Sequence, residues 1–98
     1  MTINKQKNGS TLTIAVQGRL DTTTAPDLEK EIKTGLDGVT ELIMDFEKLD
    51  YISSAGRRVL LSARNLMSKQ GSMKVVHVSD LVMEVFEVTG FTDILTIE

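Results

Sequence analysis

Leu42-Ile43-Met44 is a continuous apolar triplet lying between two stretches whose apolar residues recur at three- and four-residue steps. That arrangement excludes most ways of folding a short chain. The strand-type run extends from Val39 to Phe46 and is typical of a strand covered on both faces. Before it, Ala25, Leu28, Ile32 and Leu36 form a narrow stripe on an otherwise charged helix. Thr24 is the expected N-cap there, with Pro26 in the first turn, Asp27 close to a capping box, and Gly38 as the stop. After it, Val59, Leu60, Ala63, Leu66 and Met67 define the buried face of a second helix, running from near Ser54 to about Lys69 and closed by Gly71.

The alternation continues to the end of the chain. Met73 to Val78 reads as another buried strand. Ser79 or Asp80 opens a third helix with a broad apolar face of Leu81, Val82, Val85, Phe86 and Val88, and Gly90 ends it. Ile94 to Ile97 is a short last strand. At the other end, Asn8-Gly9 is a strong hairpin signal, since a type I′ turn needs positive φ at both central residues. It joins a polar strand around Ile3 to Lys7, suited to a sheet edge, to a strand that alternates Leu12, Ile14 and Val16 against Thr11, Thr13 and Ala15. Gly18 to Thr24 reads as a loop. The order is hairpin, helix, strand, helix, strand, helix, strand. It argues for an α/β fold with right-handed crossovers: a mixed sheet of four to five strands, an N-terminal hairpin and three main helices. No repeat, linker or low-complexity tract interrupts it, and residues 1–98 read as one domain.

Composition narrows the function classes. At 98 residues, folding buries roughly 60 to 70% of the chain's surface, enough for one core. No cysteine is present, which excludes disulfides and thiolate metal sites and fits a reducing compartment. No apolar run approaches a membrane span, and the first residues have no apolar leader, so the expected address is the cytoplasm, without membrane insertion. The net charge is −3, and the 11 basic residues are scattered without aromatic interleaving, giving no footprint for direct nucleic-acid contact. None of the seven glycines forms a phosphate-cradling fingerprint, there is no nucleophile elbow, and His77 is the sole histidine. A lone histidine on a strand is most often structural. No catalytic activity, cofactor or metal is expected.

The candidate site is Asp50-Tyr51-Ile52-Ser53-Ser54-Ala55-Gly56, where a loop becomes the second helix. A serine here is a natural N-cap, accepting a bond from an orphan backbone N–H of the first turn. The same N–H groups and the positive end of the helix dipole make the place receptive to a phosphate. Arg57 and Arg58 follow Ser54 by three and four residues and share its face. Two cations in a first turn oppose the dipole, so they either pair with a phosphate or an acidic partner surface, or form a solvated basic face. Asp21 is a loop carboxylate suited to an Asx-type turn or to capping the following helix. Asp45 and Asp50 have similar readings.

Tyr51-Ile52-Ser53-Ser54-Ala55-Gly56-Arg57-Arg58-Val59-Leu60-Leu61 resembles the signature of the STAS domain, in particular that of the soluble bacterial anti-sigma factor antagonists. Gly18-Arg19-Leu20-Asp21 with Ala25, Leu42-Ile43-Met44-Asp45-Phe46, and Val88-Thr89-Gly90-Phe91 agree in order and spacing. The resemblance implies a single STAS domain acting in a phosphorylation-controlled partner switch. The unphosphorylated form would bind an anti-sigma factor that is also a serine-protein kinase, and a serine phosphatase would reset the cycle. Ser54 aligns with the phosphorylated serine, and Ser53 stands where the family often has aspartate, which makes Ser53 the alternative acceptor. The implied partner-binding set is Asp21, Ser53, Ser54, Gly56, Arg57 and Arg58, with the family usually carrying an apolar residue in place of Arg57. A monomer or weak dimer is expected. Alternatives on the same fold are a stand-alone STAS subunit of a transporter and a switch whose target is not a sigma factor.

Overall fold

The computed structural model describes residues 1–98. Its elements are β1 (Thr2–Asn8), β2 (Thr11–Leu20), α1 (Ala25–Gly35), β3 (Glu41–Asp45), β4 (Leu49–Ile52), α2 (Ser54–Met67), β5 (Ser72–Val76), α3 (Asp80–Thr89), a 3-10 turn (Phe91–Asp93) and β6 (Thr96–Ile97). The mixed sheet runs β1-β2-β3-β5-β6, with β1 antiparallel to β2 and the remaining pairs parallel. The α/β class and the three helices are those expected. The sheet has six strands because β4, expected as loop, also joins it.

β4 explains how the site is built. β2 pairs with β3 from Thr11 to Ala15 and then with β4 from Gly18 to Leu20, and within that second pairing the register slips between Gly18 and Arg19, leaving Asp50 of β4 without a partner on β2. Gly18 stands at the slip, with a φ of +101° that is open mainly to glycine. The segment expected as a loop from Gly18 is therefore strand as far as Leu20.

All three helices cover one face of the sheet. Leu12, Ile14, Val16, Leu42, Met44 and Val75 point into a single core shared with Leu28 and Ile32 of α1, Val59 and Leu60 of α2, and Val82 and Phe86 of α3. The other face is open. Its cross-strand rows, such as Gln6-Thr13-Ile43-Lys74 and Asn4-Ala15-Asp45-Val76, contain no fully buried residue. The apolar run through β3 thus belongs to a strand covered on one face only. Ile43 is half-buried, flanked in register by Thr13 and Lys74.

Several expected boundaries move. Register pairs Asn8 with Thr11, so the hairpin turn is Gly9-Ser10; only Gly9 has positive φ (+64°), the pattern of a type II′ turn. α1 ends at Gly35, not Gly38, and α2 ends at Met67 with Ser68 as its C-cap. Thr24 makes no cap hydrogen bond. Instead, its hydroxyl accepts from the Asp21 N–H (2.8 Å) and donates to the Arg19 carbonyl (2.8 Å), while the Asp21 carboxylate accepts from the Thr23 and Thr24 N–H groups. α3 buries only Val82 and Phe86 fully, leaving Leu81 58% and Val88 83% exposed.

Candidate functional site

The C-terminal ends of β2 and β4 and the first turn of α2 converge on the two serines. The Ser53 N–H donates to the Leu20 carbonyl at 2.9 Å, tying the start of the helix to the end of β2. Ser53 is the N-cap: its backbone is extended (φ −93°, ψ 177°) and its Oγ accepts from the Gly56 N–H at 3.2 Å. Ser54 is the first helical residue, exposed, and its hydroxyl makes no hydrogen bond within the protein. The two neighbours that the sequence left as alternatives are therefore in different chemical states.

Gly56 is buried, unlike the other members of the expected partner-binding set. A Cβ there would lie 2.7 Å from Leu20 Cγ and 3.0 Å from Ile52 Cγ1. Its missing side chain lets the first turn of α2 rest directly on the strand ends, so it positions the serines and cannot itself touch a partner. Arg57 is half-buried and Arg58 exposed, and neither enters an ion pair. The first turn of α2 contains no acidic residue.

Across the β2–β4 pairing, Arg19 stands opposite Tyr51, with its guanidinium carbon 4.2 Å from the ring centroid. Arg19 Nε also lies 3.7 Å from Asp21 Oδ2. Tyr51 is thereby held with 38% of its surface exposed beside the serines. Asp21 accepts from the Thr23 hydroxyl at 2.8 Å, and this bond, followed by those from the Thr23 and Thr24 N–H groups, holds its carboxyl below the usual carboxylate range. Asp21 thus organises the turn into α1 while leaving part of its carboxylate at the surface. The Arg19–Tyr51 stack was not foreseen from sequence. The only signal was that both residues lie within the motifs, and the register that unites them depends on the unforeseen strand.

Asp50 is exposed on β4 and makes no ion pair. Asp45 lies apart from the serines' hydrogen bonds. It pairs with His77, whose Nδ1 is 3.0 Å from Asp45 Oδ1. That bond, then the Asp45 charge, raises the His77 pKa. His77 is an exposed residue in the left-handed region (φ +57°), not a core histidine, and it is not bonded to Ser54. Asp45, Glu47 and His77 have donor atoms within 4.8 Å of one another and are the side chains that could hold a cation, although Asp45 Oδ1 already serves His77 and the Glu47 N–H. No helix is long and apolar enough to cross a membrane.

The molecule is thus a six-stranded mixed sheet covered by helices on one face, with a serine-capped helix at the parallel strand ends. The STAS domain family model matches residues 2–98, and the chain belongs to that family, one of regulatory binding proteins, not of enzymes. BtrV of Bordetella bronchiseptica, assigned as an anti-sigma factor antagonist, is 36% identical over 99 residues, covering 99% of this chain and 85% of that protein. Among solved structures, an anti-sigma factor antagonist from Mycobacterium paratuberculosis superposes with a TM-score of 0.88 at 22% identity, over 98% of this chain and 83% of the other. The anti-sigma factor antagonist SpoIIAA, unphosphorylated, gives 0.78 at 20% identity, over 99% and 87% of the two chains. SpoIIAA of Bacillus has also been solved in a phosphorylated form, with a TM-score of 0.77 at 21% identity over 99% and 91%. At these identities the structures speak for the fold.

Proposed function

We propose that this protein is a cytoplasmic anti-sigma factor antagonist whose hold on its partner is switched by phosphorylation of Ser54. One observation carries the choice of residue: the Ser54 hydroxyl is exposed and unbonded, whereas the adjacent Ser53 hydroxyl is spent on the Gly56 N–H. The relatives named anti-sigma factor antagonists, and the existence of SpoIIAA in two phosphorylation states, support the reading.

In this reading the unphosphorylated surface formed by Asp21, Ser54, Arg57 and Arg58, with Ser53 and Gly56 shaping it from beneath, docks on an anti-sigma factor that is also a serine kinase. The bound kinase brings ATP. Ser54 Oγ attacks the γ-phosphorus, the bond from that phosphorus to the ADP oxygen breaks, and the hydroxyl proton passes to a base on the kinase. Ser54 then carries about 1.5 to 2 negative charges in the middle of the contact. A reversal from mostly bound to mostly free, 1:99 to 99:1, requires a difference of ~5.5 kcal/mol. A dianion that alters the charge of the interface and desolvates badly against it is of the right size. A serine phosphatase removes the group and restores the binding form.

Mass spectrometry of the protein from its native host, in growth and in stress, tests this directly. Phosphate on Ser54 with condition-dependent occupancy is the expected result. Phosphate on Ser53 instead would overturn the assignment, and none on either serine in any condition would overturn the switch.

A further inference from the structure

We propose that Arg57 and Arg58 together clamp the phosphate on Ser54, so that modification cancels a positive patch as much as it adds a negative charge. The inference rests on the Ser54 switch and deepens it. At about 100° of rotation per residue, Arg57 lies ~60° to one side of Ser54 and Arg58 ~40° to the other. The buried face of α2, defined by Gly56, Val59, Leu60, Ala63 and Met67, points away from all three. A group on Ser54 Oγ therefore rises between two guanidinium side chains long enough to reach it, at the i+3 and i+4 spacings where helix side chains meet.

Both arginines are available. Two other arginines are already engaged: Arg19 lies on Tyr51 beside Asp21, and Arg64, further along α2, donates to the Ile94 carbonyl. Arg57 and Arg58 have no ion-pair partner, and α2 offers no acid in its first turn to supply one. Neither Asp21 nor Asp50 forms an ion pair with them. Asp21 is engaged by the Thr23 hydroxyl and two backbone N–H groups, and Asp50 is an exposed residue on β4. Two adjacent cations in a first turn oppose the helix dipole. A dianion between them removes that opposition, and guanidinium groups bind phosphate oxygens in paired, charge-assisted hydrogen bonds. The partner then meets a neutralised patch in place of two free guanidiniums.

The test uses the full chain with phosphoserine inserted at position 54 by genetic-code expansion, so it does not depend on any kinase modifying Ser54 in the cell. The second phosphate pKa, near 6 for an unperturbed phosphoserine, is read by 31P NMR titration. The expected result is a value lower by about one unit in the wild-type background than in Arg57→Gln/Arg58→Gln. The Arg57 and Arg58 Nε–H resonances should also sharpen and shift on modification. Equal pKa values in the two backgrounds would overturn the clamp, leaving the switch itself to the mass-spectrometric test. A shift as large from Lys69→Gln, just past the far end of the helix, would overturn it too, since general charge would then account for the effect.

Discussion

α2 and α3 begin in the same way and then diverge. Each has a serine N-cap in extended conformation whose hydroxyl accepts from the third helical N–H, Gly56 at 3.2 Å and Val82 at 3.3 Å. In α3 the next residue is Asp80, an acid placed where the dipole favours it, and the third residue is a buried valine. In α2 the next residue is an unbonded serine, the third is a glycine, and two arginines complete the turn. α3 is finished as a stable helix start. α2 leaves no room for a side chain between Gly56 and the Leu20 and Ile52 side chains, and its first turn lacks the negative charge that its geometry would accept.

The sharpest way to break the comparison is at the third position. Gly56→Ala drives a Cβ into Leu20 and Ile52 and should cost ~1–3 kcal/mol by overpacking, after any gain in helix propensity. Val82→Ala, which leaves a cavity instead, should cost about 2 kcal/mol. Urea denaturation measures both, and a stabilised Gly56→Ala would show that the close approach of α2 is not needed. The caps come next: Ser53→Ala and Ser79→Ala should each lose ~1 kcal/mol, whereas Ser54→Ala should change stability by less than about 0.5 kcal/mol. Equal losses at Ser53 and Ser54 would contradict the division of labour between them. Smaller still, Ser54→Asp should stabilise the fold by ~0.3–1 kcal/mol and Asp80→Ser should lose a similar amount, both effects fading in high salt.

The last test extends the comparison to α1, which is entered through a carboxylate. Because the pKa of Asp21 is depressed in the fold, its contribution is present above the unfolded value of 3.8 and is lost as pH falls through the folded value. Thermal melts at descending pH should show a loss in the wild type that is absent from Asp21→Asn.

Local chemistry made much of this legible. The stripe Ala25-Leu28-Ile32 and the face Val59-Leu60-Ala63-Met67 are helical periods that packing ratifies, while Leu36 is buried just past the end of α1 and Leu66 is only half-buried. A serine before a helix pattern announces a cap, although the sequence left open whether Ser53 or Ser54 held the role. What escaped depends on pairing between distant segments. Leu49 and Ile52 both point inward but stand three residues apart, so β4 has no strand period to detect. Ile43 looks like core because the alternation of β3 is masked by an apolar residue on the open face. Leu81 and Val88 read as buried on periodicity, yet α3 turns them outward. The Arg19–Tyr51 stack exists only through the shifted register of β2 against β4.

That shared strand also governs how long the surface lasts. β2 is bonded to β1 along one edge and to β3 and then β4 along the other, and the Ser53 N–H ends the same ladder at Leu20. The amides beneath the serines therefore open to solvent only when the centre of the sheet opens, and their hydrogen exchange should follow the rare global event in preference to local fraying. In the proposed switch, a partner arriving at Ser54 meets a persistent shape, and what changes between one encounter and the next is the chemical state of a single oxygen.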